Sequence, residues 1–144
     1  KYTVGDFKVC VEEARAFRRV AEWCNGEDVG NFLLGGMYAF AVNAAFSCEL
    51  YLKAIFIHNS PVDEFPCGHK LDELFDLLPN NIQNALINDF SKRCSTDFHS
   101  FLRNSGDAFV EWRYALEKGV SINITALTTF AETLESYICS LDKK

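Results

Sequence analysis

The chain has 144 residues, 49% of them hydrophobic and 24% charged, with a formal net charge of −6. That length fits one domain over residues 1–144, and folding would bury roughly 70% of the unfolded surface, so a core forms without metal or disulfide staples. The acidic balance argues against a broad, sequence-independent grip on a phosphate backbone, which needs clustered Lys and Arg; it leaves room for a small basic pocket or a dimer groove.

Asp6 to Cys24 reads as a first helix. Phe7, Cys10, Val11, Ala14, Phe17, Val20 and Ala21 recur at steps of three and four, while Glu12, Arg15 and Arg19 take other faces. Asp6 is a candidate N-cap, and Asn25-Gly26 ends the helix. Asn31 to His58 follows as one long central helix, ~40 Å at 1.5 Å per residue. Ala39, Ala41, Ala44, Ala45 and Ser47 allow close approach of neighbours, and Phe40, Phe46, Leu50 and Leu52 supply burial. A run that is apolar most of the way round marks a helix inside a bundle. Gly35, Gly36, Asn43, Glu49 and Lys53 interrupt it, so it reads as a core helix and not a membrane span.

Asn59 to Gly68, with Pro61 and Pro66, is a loop. His69 to Leu78 is a short amphipathic helix with Leu71, Leu74, Phe75 and Leu78 inward, stopped by Pro79. Asn80 or Asn81 caps the next helix, which turns Ile82, Ala85, Leu86 and Phe90 inward and ends near Arg93. Ser95 or Thr96 caps a helix to about Lys118, in which Gly106 marks a kink or a close approach and Gly119 is the C′ residue. The last helix runs from about Asn123 to Leu141. Val120 to Ile124 is strand-like but too short and unpartnered for a sheet. The pattern predicts an all-α fold, an antiparallel bundle of four to six helices. Thirteen Phe suit packing between such helices.

Six Cys (Cys10, Cys24, Cys48, Cys67, Cys94, Cys139) are scattered with no C-x-x-C pair and read as reduced thiols. No zinc spacing, cofactor motif, signal peptide or targeting segment is read, so the expected location is the cytoplasm. No Gly-rich phosphate loop or nucleophile elbow is present, and the paired carboxylates Asp72 and Asp76 are assigned to a solvated face.

Glu49 and Lys53, at i and i+4, can pair along one helix face that also carries Val42 and Phe46. A buried pair needs further partners, and Arg113 is the candidate for Glu49. Two readings stand: an ion pair locking core helices, or a charged pocket for a phosphate or nucleotide. Arg93 and His99 are separated by five residues, Cys94 to Phe98. An Arg that stabilises a phosphorane and a His that moves a proton would serve metal-free RNA cleavage, but the two straddle a predicted turn. His69, before Lys70 at a helix start, reads as a capping or loop-anchoring residue, or as part of an anion site.

Ala44-Ala45-Phe46-Ser47-Cys48-Glu49-Leu50-Tyr51-Leu52-Lys53-Ala54, then Gly68-His69-Lys70-Leu71 through Leu77-Leu78-Pro79, then Phe109-Val110-Glu111-Trp112-Arg113-Tyr114, resembles the HEPN (higher eukaryote and prokaryote nucleotide-binding) superfamily over roughly residues 31–118. The resemblance implies an up-and-down bundle of four or five helices, frequently a homodimer. Many members are metal-independent ribonucleases in toxin–antitoxin, defence or RNA-processing systems; others only bind nucleotides or RNA, or assemble. Their catalytic signature is an Arg, four to six residues, then a His, which Arg93 and His99 match in spacing. Cys94 stands where a polar residue commonly follows that Arg, and neither Arg103 nor Arg113 has a His downstream. The resemblance therefore implies a non-catalytic dimeric module that binds nucleotide or RNA through Lys53, His69 and Arg113, in a defence or stress response. A toxin-type ribonuclease using Arg93 and His99, and a structural partner-binding bundle, are the alternatives. An antitoxin or a nucleotidyltransferase is the expected protein partner.

Overall fold

The computed structural model describes residues 4–25, 36–59, 65–106 and 123–142. Among these it has six helices and no strand: α1 (Val4–Asn25), α2 (Met37–Asn59), α3 (Leu71–Asp76), α4 (Asn80–Arg93), α5 (Phe98–Asn104) and α6 (Ile124–Leu141). The fold is an all-α bundle. Its centre is α2, which packs against α1, α3 and α6. Phe7 meets His58, Cys10 meets Leu50 and Ser47 meets Ala14, so α1 and α2 run antiparallel.

Small residues allow that pairing. Ala14, Ala41, Ala44, Ala45 and Ser47 are buried, and the Ser47 hydroxyl donates to the Ala14 carbonyl at 2.7 Å. The Cys10 thiol likewise donates to the Leu50 carbonyl at 3.2 Å. By length and composition α2 could cross a membrane, yet 72% of its most apolar window is buried by its own neighbours. Its apolarity is thus accounted for by packing. At the other end of the bundle, Phe75, Phe90, Phe98, Phe101 and Phe130 cluster with ring centroids 5.0 to 6.5 Å apart. Edge-to-face pairs of this kind add about 0.5–1.5 kcal/mol each beyond their burial. This cluster joins α3, α4, α5 and α6, and it uses Phe as its sequence suggests.

Several local expectations are corrected. Asp6 lies in the first turn of α1 and is not its cap, because the helix begins at Val4. Pro79, not Asn80 or Asn81, precedes α4. Asp97, not Ser95 or Thr96, caps α5: its carboxylate accepts from the Ser100 N–H at 2.9 Å. That bond holds the Asp97 carboxyl below its usual range. His69 and Lys70 precede α3 instead of opening it. Val20, expected inward, is 45% exposed, and Ala85 is exposed too; both sit at the margins of their apolar stripes. The Asn123 side chain caps α6 through Ala126 N–H.

Gly106 is a close approach. The Leu71 N–H donates to its carbonyl at 3.1 Å, tying the start of α3 to the end of α5. A Cβ at Gly106 would lie 2.9 Å from Asp72 Oδ1. Asp72 is therefore not a solvated partner of Asp76: Asp76 is exposed, whereas Asp72 Oδ1 is buried and accepts no hydrogen bond among the described residues.

Candidate functional site

The central feature is a carboxylate inside the bundle. Glu49 is 1% exposed, near the middle of α2. One turn on, Lys53 Nζ lies 2.7 Å from Glu49 Oε1, and the Lys53 side chain is 9% exposed. Helical spacing brings these two together. A third group comes from the loop that leads into α3. His69 Nδ1 sits 3.0 and 3.1 Å from the two Glu49 oxygens. A carboxylate only accepts, so Nδ1 carries the proton and donates. The His69 side chain is 54% exposed, which makes it the solvent-facing member of the set. Phe65, from the same loop, places its ring 5.5 Å from Lys53 Nζ, within range for a cation–π contact.

The chemistry of this cluster follows from burial. A buried charge persists only when paired and hydrogen-bonded. Glu49 answers Lys53 directly and receives His69 on its remaining lone pairs. Cys10 faces the same cluster: burial pushes its thiol up to about 11, with Lys53 opposing and Glu49 reinforcing. That thiol stays protonated and acts as a packing group. The cluster pins the loop before α3 onto α2, and it keeps an imidazole at the surface in a defined orientation.

The other expected site residues separate. Arg93, at the end of α4, turns onto Asp89 at 3.2 Å and reaches Glu132 on α6 at 3.9 Å. His99, one residue into α5, packs its ring edge against Phe98 at 5.7 Å between centroids. Among the described residues no hydrogen bond or ion pair joins Arg93 to His99. Arg113, the expected partner of Glu49 and third ligand-binding residue, lies outside the described residues. Among the described residues no three His, Cys, Asp or Glu side chains converge to hold a metal ion.

A second polar cluster joins three helices, and sequence spacing gives no signal for it. Glu135 on α6 accepts from Arg15 Nε at 3.0 Å and from the Tyr51 hydroxyl. Arg15 also reaches Glu12 at 3.0 Å. Burial pushes the Glu135 carboxyl up, but the bonds from Arg15, Tyr51 and Cys139 outweigh it and leave the carboxyl below its ordinary range. Burial and the Glu135 bond raise the Tyr51 hydroxyl well above its ordinary value. Arg15, Arg18, Arg19, Glu22, Tyr51 and Glu135 line an open cleft of about 180 Å³. No family model, no curated protein and no solved structure matches this chain.

Proposed function

We propose that the chain is a non-catalytic, HEPN-like, dimeric module that binds a nucleotide, or the phosphates of an RNA, beside His69. The observation that carries this reading is the Glu49 carboxylate shared by Lys53 and His69. The cluster sets the Lys53 charge against the carboxylate and holds the His69 ring on the same carboxylate by Nδ1. Its outer member is the exposed ring, so a phosphate would meet a pre-oriented donor. The resemblance of the Cys48-to-Lys53 and Gly68-to-Leu71 segments to the HEPN superfamily points the same way.

The ribonuclease reading has weaker support. General acid–base work needs the proton-moving group within hydrogen-bond reach of the reacting atoms and the stabilising cation beside it. Arg93 is instead engaged by Asp89 and Glu132. The test is thermal unfolding with and without ATP or a short single-stranded RNA. A ligand at a hundred times its Kd should add about 2.7 kcal/mol of stability. The gain should vanish in His69→Ala and persist in His99→Ala, with the RNA recovered intact. No gain with either ligand, or cleavage lost in His99→Ala, would overturn the proposal.

A further inference from the structure

Helix α1 carries apolar residues on two faces. Phe7, Cys10, Val11, Ala14 and Ala21 turn into the core. Val9, Ala16, Val20 and Trp23 follow at steps of seven, four and three, which groups them on the side away from the core. Val9 is 63% exposed, Val20 45% and Trp23 83%, and Ala16 between them is half-buried. A surface helix ordinarily shows charged and polar residues there. Among the described residues the exposed large hydrophobic side chains are these three and Leu77, so they are gathered on one helix face and not scattered singly.

The charges beside the stripe select its occupant. Toward the start of α1 the exposed face carries Glu12 and Glu13, and toward its end Arg18 and Arg19. Arg18 is engaged by Glu22 at 3.1 Å. Arg19 is exposed and makes no ion pair among the described residues. A second α1 laid antiparallel brings the acidic part of each helix to the basic part of the other; a parallel copy sets acid against acid. With a two-fold axis level with Arg15 and Ala16, Glu12 stands level with the partner's Arg19 on the same edge of the stripe, and Val9 stands level with the partner's Trp23. Glu12 uses Oε1 on Arg15 at 3.0 Å, and its other oxygen can accept from a further guanidinium. Ala16 falls at the crossing, where a small side chain lets the two axes approach closely. The contact is isologous, so each interaction occurs twice.

The size of the patch sets the strength. Trp23 offers roughly 150–200 Å² for burial, and the two valines add to it. Doubled by symmetry, the apolar stripe still falls short of the ~1,600 Å² total of a standard interface, which places the contact at the weak end of specific ones.

We propose that a second copy of this chain docks antiparallel on the exposed face of α1, with Val9, Ala16, Val20 and Trp23 at the centre and Glu12 paired with the partner's Arg19 at the edge. The proposal rests on the dimeric part of the reading above and names its surface; it shares no residue with the His69 site. The test is sedimentation velocity of the full chain over a concentration series. The expected result is a monomer–dimer equilibrium with a Kd of about 1–100 μM, weakened about tenfold or more in Trp23→Glu. Glu12→Arg and Arg19→Glu should each weaken self-association severalfold. An equimolar mixture of those two variants should recover it, because each altered edge then meets the opposite charge. His69→Ala should dimerise like the unaltered chain. The substituted α1 side chains are exposed, so the variants fold, which far-ultraviolet circular dichroism checks. An unaltered chain that stays monomeric overturns this proposal together with the dimeric part of the function. A dimer equally tight in Trp23→Glu, or a mixture no tighter than the single variants, overturns this surface alone and leaves dimerisation to another face.

Discussion

Glu49→Gln is the most informative single change. It keeps the shape of the side chain and removes its charge. Lys53 is then left with 9% of its side chain exposed and no ion-pair partner among the described residues. Removing one partner of a buried pair costs about 3–5 kcal/mol, because the survivor is a desolvated, uncompensated charge. A total stability of about 5–15 kcal/mol makes that a large fraction. At about 2–4 °C per kcal/mol for a chain near this size, the midpoint should fall by roughly 10 °C. Lys53→Met should cost a similar amount, since Glu49 is 1% exposed and keeps His69 alone among the described residues. The double variant should be more stable than either single one, because two apolar or neutral groups replace two charges together. Urea unfolding of all four proteins gives the cycle. A loss below about 1 kcal/mol for Glu49→Gln, or costs that simply add in the double variant, would refute the burial argument.

Three further outcomes follow from the geometry. Glu135 is held below its ordinary value of 4.5, so its contribution is present above that pH and is lost as pH falls through the lower folded value. Urea midpoints measured from pH 6 to pH 3 should therefore fall less steeply in Glu135→Gln. Gly106→Ala should cost about 1–3 kcal/mol by forcing the Asp72 carboxylate away, and Asp72→Ala should restore most of it, in chemical unfolding. In thiol labelling of the folded protein, exposed Cys67 and half-buried Cys94 should react early, Cys94 because its bonds with Thr96 lower its pKa. Burial pushes the Cys10 thiol up to about 11 and the Cys48 thiol up to about 12, so these two should resist until the chain unfolds.

How much of this was legible before the coordinates depended on the range of each interaction. The Glu49–Lys53 pair was readable because helical geometry alone sets it. Its third member was not: His69 is twenty residues from Glu49, beyond a loop whose path no periodicity describes. Arg113, the cation that the sequence offers as a partner for Glu49, lies outside the described residues. Arg93 and His99 show the reverse case, a spacing across a turn that the sequence already places between them. Their spacing fits a signature, but the turn between α4 and α5 sends Arg93 to α6 and leaves His99 beside Phe98. Arg15, Tyr51 and Glu135 come from three helices up to 120 residues apart, and a helical wheel says which face a residue takes but not what it meets. Caps were ambiguous for a local reason. Ser95, Thr96 and Asp97 all carry a capping oxygen, and only the backbone at Asp97 shows which is used. The bundle itself was readable because stripes of large apolar residues and the small residues of α2 agree on one architecture.

The most direct measurement is a 15N NMR spectrum of the His69 ring. The account predicts Nδ1 protonated and sensitive to Glu49→Gln, with both ring nitrogens shifting as ATP is added. An Nδ1 without its proton, or a ring unmoved by Glu49→Gln and by ATP alike, would contradict it.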